Sequence, residues 1–70
     1  MLSESDRRIL DFERGWWLHP GLKDQNISEL LALDPQRYYR RLRELVDADA
    51  AVAYDPLTVR RLRRLIREAG

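Results

Sequence analysis

The sequence predicts an all-α fold: a compact domain of four main helices, or five if a short bridge is itself helical, containing a helix-turn-helix. Three observations predict it. Apolar residues recur at helical spacing, most clearly Tyr38, Leu42, Leu45 and Val46. Aspartate followed by proline occurs twice, at Asp34-Pro35 and Asp55-Pro56, and each pair reads as a helix start, because aspartate is a strong N-cap and proline is pre-set for the first helical position. Seventy residues leave room for one domain only, residues 1–70. A chain of that size buries about 60% of its unfolded surface, so its core must be efficient or supplemented by a partner.

Ser3 with Asp6, or Ser5 alone, can cap the first helix, and Glu4 and Asp6 suit the positive end of its dipole. The helix is expected to run to about Trp17. Ile9, Leu10, Phe12, Trp16 and Trp17 spread over an arc too wide for a surface helix, which predicts a central brace in the core. The adjacent tryptophans read as packing residues, each able to bury on the order of 200 Å². Glu13 falls near the middle of that arc, where a carboxylate is costly unless paired and hydrogen-bonded. Arg41 or the hydroxyl of Tyr38 or Tyr39 is its expected donor; the alternative is a split arc that lets Glu13 reach water.

Leu18-His19-Pro20-Gly21 ends that helix in a turn. His19, alone and without cysteine nearby, is weak support for a metal site, and none is expected. The second helix starts between Leu22 and Asn26, with Asn26 and Glu29 as a capping pair. It carries Ile27, Leu30 and Leu31 at i, i+3, i+4, and the small residues Ser28 and Ala32 permit close approach. Leu33 covers the turn. The third helix follows Asp34, its anchors Tyr38, Leu42, Leu45 and Val46 on one side and Gln36, Arg40 and Arg43 on the opposite one. This is the pattern of a helix-turn-helix, whose second helix enters the major groove.

Residues 47–54 form a weakly helical or irregular bridge, and Asp55-Pro56 opens the last helix. Val59, Leu62, Leu65 and Ile66 share one side of it. Arg60, Arg61, Arg64 and Arg67 take much of the other, with Arg63 at the border. Such mutually repelling cations ask for an anion, of which DNA phosphate is the simplest and an acidic partner protein or RNA an alternative.

The net charge of +1 hides a lopsided chain: residues 1–35 hold four basic against seven acidic side chains, residues 36–70 nine against five. One surface can then face phosphate while the other stays away from it. With no cysteine there is no disulfide framework. The polar start Met1-Leu2-Ser3-Glu4 and the lack of a long uncharged apolar run point to the cytoplasm rather than a membrane.

Asp6-Arg7-Arg8-Ile9-Leu10-Asp11-Phe12-Glu13 followed by Trp16-Trp17, then Arg37-Tyr38-Tyr39, then Asp55-Pro56 leading into Val59-Arg60-Arg61-Leu62-Arg63, resemble the small actinobacterial and actinophage proteins carried as a domain of unknown function. The resemblance covers nearly the whole chain. It implies a cytoplasmic helix-turn-helix protein that binds DNA, with no settled catalytic residue or ligand. It also implies a glycine where this chain has Ala32.

The expected function is sequence-specific binding of double-stranded DNA, as a small transcriptional regulator or accessory factor associated with the nucleoid. Gln36, Tyr39, Arg40 and Arg43 would meet bases, since arginine suits guanine and glutamine adenine. Arg37, Arg41, Arg60, Arg61, Arg64 and Arg67 would meet phosphates. Glu13, Trp16, Trp17, Asp34 and Tyr38 would be structural. A homodimer would place two reading helices about 34 Å apart. The alternative is an interaction module docking on RNA polymerase, a sigma factor or another regulator. No nucleophile-base pair, metal cluster or phosphate-cradling glycine loop is legible, so neither an enzyme, a cofactor nor a small-molecule ligand is expected.

Overall fold

A computed structural model describes residues 1–69. Among the described residues five helices follow one another: α1 (Glu4–Glu13), α2 (Lys23–Leu31), α3 (Pro35–Leu45), α4 (Asp49–Tyr54) and α5 (Pro56–Ala69), with a 3-10 turn at Trp16–Leu18. The fold is therefore all-α, and the bridge before α5 is helical. None of these helices is long and apolar enough to cross a membrane.

α1 and α2 both pack on α3, and α4 packs on α5. Ile9, Leu10 and Phe12 from α1, Ile27 from α2, Tyr38, Leu42 and Leu45 from α3, Val46 just beyond it, Ala51 from α4, and Val59 and Leu62 from α5 form one core. The wide apolar arc of α1 is thus real, but it ends sooner than the apolar pattern suggests. α1 stops at Glu13, because Gly15 leaves the helical region at φ −155°, ψ 30°. Glycine bears the largest entropy cost of staying helical, so the chain breaks there. Trp16 is left half-buried against the core and Trp17 is 52% exposed, so Trp17 is not a core residue.

Ser3 and Asp6 form the expected reciprocal capping box, the Ser3 hydroxyl accepting from the Asp6 N–H and the Asp6 carboxylate from the Ser3 N–H. The caps of α2 and α3 differ from expectation. α2 begins at Lys23 behind Leu22, with no side-chain cap, and Asn26 donates to the Pro20 carbonyl instead. Asp34 sits at the N-cap of α3 in extended geometry, yet its carboxylate accepts no capping bond. Asp55 does cap: it accepts from the Thr58 N–H at 3.2 Å and the Thr58 hydroxyl at 2.7 Å.

Arginines from other helices complete three C-termini. Arg8 of α1 donates to the Leu30 carbonyl of α2, Arg61 of α5 to the Glu13 carbonyl of α1, and Arg63 of α5 to the Val46 carbonyl after α3. Final carbonyls of a helix have no partner within it and carry the negative end of the dipole, so a cation there stabilises by about 0.3–1 kcal/mol. Two of the α5 cations therefore find carbonyl acceptors inside the protein.

On the same helix the apolar side is only partly used. Val59 and Leu62 are buried, whereas Leu65 and Ile66 remain 48% and 38% exposed, because the last turns of α5 run past the core.

Candidate nucleic-acid interface

The turn between α2 and α3 is three residues long, and Ala32 closes α2 in the left-handed conformation, φ 55°, ψ 37°. An L-residue with a Cβ adopts that geometry at a cost of about 1–2 kcal/mol. The strain buys a tight reversal that lays α2 against α3, with Pro35 opening α3.

The rotation of α3 about its axis is fixed by a buried polar centre. Tyr38 is fully buried and its hydroxyl donates to the Glu13 carboxylate, while its ring meets Phe12 edge-on at 6.0 Å. Glu13 also pairs with the Lys23 ammonium at 2.8 Å, so the buried carboxylate has a hydroxyl and a cation as partners and ties α1, α2 and α3 together. Burial, then the bond to Glu13, raises the Tyr38 phenol far above its ordinary value. Of the donors expected for Glu13, Tyr38 is the one used. Arg41 and Tyr39 are not, and the Glu13 carboxylate does not open to water, being 2% exposed.

Arg41 goes to Asp6. Its Nε and one terminal nitrogen each lie 2.8 Å from a carboxylate oxygen, a bidentate clamp from α3 to the start of α1. Arg41, expected at a phosphate, has its fork occupied by Asp6. Tyr39, expected to meet a base, is engaged within the fold too. Its hydroxyl donates to Asp24 of α2 at 2.8 Å and its ring stands edge-on to Tyr38 at 5.1 Å. Partial burial and the Asp24 bond push its phenol up to about 12. Arg61, expected at phosphate, caps α1 and lies 4.8 Å over the Trp17 ring.

With Tyr38, Leu42 and Leu45 turned inward, Gln36, Arg37, Arg40 and Arg43 are left exposed, and none makes a side-chain hydrogen bond or ion pair among the described residues. Glu44 is the one acidic residue of α3, and it is engaged with Arg41 at 3.4 Å. The outer side of α3 is therefore an uncompensated row of one amide and three guanidinium groups. Each can donate to a flat acceptor edge or a phosphate oxygen.

Sequence reasoning missed Lys23, which sits 2.8 Å from Glu13 and 4.7 Å above the Trp16 ring. It also missed the second duty of Asp6. One signal was available: Asp6, Ile9, Leu10 and Glu13 share one side of α1 at i, i+3, i+4, i+7, so two carboxylates had to turn inward with the apolar residues and each required a cation or hydroxyl.

The chain matches, over residues 1–69, the family described as "Protein of unknown function (DUF3263)". It belongs to this family. No curated protein and no solved structure matches it. The matched span includes every helix described above, so the Glu13 centre and the α2–turn–α3 unit both lie within the family domain.

Proposed function

We propose that the chain binds double-stranded DNA sequence-specifically, as a small transcriptional regulator or accessory factor, with α3 as its reading helix. One observation carries the reading: Gln36, Arg40 and Arg43 are exposed and unpaired on a helix whose opposite side is pinned by Tyr38 and Arg41. Rigid presentation matters, because a side chain reads a base edge only when its backbone is held in register. A short αL turn between two packed helices supplies the usual framework for entry into the major groove.

Arg40 and Arg43 suit guanine O6 and N7, and Gln36 suits adenine. Arg37, one residue beyond Gln36 and likewise exposed, is placed for a flanking phosphate. A single copy offers few base contacts, and a homodimer with its reading helices about 34 Å apart would favour a palindromic site. Such a protein would work on the nucleoid.

The test is a titration with duplex DNA at several salt concentrations. Arg40→Ala should cost about 1–3 kcal/mol on the preferred site and relax discrimination there. Arg37→Ala should weaken all sequences alike and lower the salt slope by about 0.9. No retention on any duplex at moderate salt would defeat the proposal.

A further inference from the structure

A second cationic surface is lined by residues of α4 and α5 and by none of α3. Arg60, Arg63, Arg64 and Arg67 line an open groove of about 430 Å³ whose remaining lining residues are Val52, Pro56 and Val59. Arg63 is held by the Val46 carbonyl. Arg60, Arg64 and Arg67 are exposed and make no hydrogen bond or ion pair among the described residues, and no acidic side chain lines the groove. The groove thus joins two chemistries: guanidinium groups, and the accessible apolar side chains of Val52 and Pro56 beside them.

DNA phosphate would use the first and leave the second idle, because a phosphodiester carries nothing apolar to lay on Val52 and Pro56. An acidic peptide segment with one bulky apolar residue between its carboxylates uses both. We propose that this groove docks such a segment of a partner protein, its Leu- or Phe-type side chain seated over Val52 and Pro56 and its carboxylates on Arg60, Arg64 and Arg67. The volume suits one or two side chains rather than a folded domain. The inference goes beyond the DNA reading of α3: it gives the α5 arginines a peptide as their partner and leaves Gln36, Arg40 and Arg43 free for a duplex at the same time.

The test titrates the full chain with two short synthetic peptides, one a run of Asp and Glu with a central Phe, the other identical but with Ser in place of Phe, and separately with a random-sequence duplex. Binding is followed by fluorescence anisotropy, and the Val52 and Val59 methyl resonances by NMR. The Phe peptide should bind roughly tenfold or more tighter than the Ser peptide, as expected when a large apolar side chain leaves water, and it should shift both methyl resonances. The double variant Arg64→Gln, Arg67→Gln, checked for unchanged helicity by circular dichroism, should lose roughly tenfold or more of that affinity. Equal binding of the two peptides overturns the proposal, as does a duplex that shifts the Val52 and Val59 resonances when the Phe peptide does not. Because peptide and duplex are read separately, failure of the groove and failure of the α3 reading give different results.

Discussion

Arg41→Gln distinguishes an arginine that holds the fold from those on the same helix that face outward. Arg41 grips both oxygens of Asp6 at 2.8 Å, and Asp6 is 4% exposed. The Arg41 bonds, opposed by burial and helped by those from Ser3, hold the Asp6 carboxyl at about 2 against its ordinary 3.8. A carboxyl depressed in the folded state contributes stability that is complete above the unfolded value, near pH 4, and is lost as pH falls through about 2. The gap between the two values corresponds to about 2 kcal/mol, and because Arg41 is half exposed, solvent reduces that to about 1–2 kcal/mol.

In a domain of this size each kcal/mol moves Tm by about 4–8 °C. Arg41→Gln should therefore melt about 5–15 °C below the parent at pH 7, and the deficit should shrink toward zero as the pH approaches 2. Its salt slope for DNA should be unchanged. Thermal melts by circular dichroism across pH 2–7, with DNA titrations alongside, check both. A variant that melts like the parent at pH 7, or that loses about 0.9 from the salt slope, would refute the structural role of Arg41.

Glu13→Gln keeps an acceptor for the Tyr38 hydroxyl but removes the charge facing Lys23, and should cost about 1–2 kcal/mol in urea unfolding. Glu13→Leu, which strands both partners, should cost about 3 kcal/mol. Ala32→Gly should stabilise by about 0.5–1 kcal/mol in the same measurement, since relief of the left-handed strain exceeds the extra freedom that glycine gives the unfolded chain. Asp34→Ala should cost clearly less than the usual 1 kcal/mol or so for an N-cap, because its carboxylate makes no capping bond.

The orientation of α3 was legible in the sequence because one periodic set, Tyr38, Leu42 and Leu45, decides it, and all three are buried. The end of α1 was not. Trp16 and Trp17 continue the apolar arc on paper, and periodicity does not register a backbone turn at Gly15. The arginines show the same limit more sharply. Long side chains reach across helices, so Arg41 and Arg61 look like exposed cations on their own helices while serving Asp6 and the Glu13 carbonyl, which are distant in the chain. Arg40 and Arg43 look identical by spacing and stay free. Which arginine is a strut is a property of the tertiary packing, and the sequence marked it only through Asp6 and Glu13 on the apolar side of α1.

The claim that the outer side of α3 meets DNA is tested most directly by mapping a duplex onto the folded chain by NMR. Titration with a site selected from a random library should perturb the side-chain resonances of Gln36, Arg40 and Arg43 first, and those of Tyr38 and Arg41 little. Shifts confined to α5, or none at any accessible concentration, would contradict it.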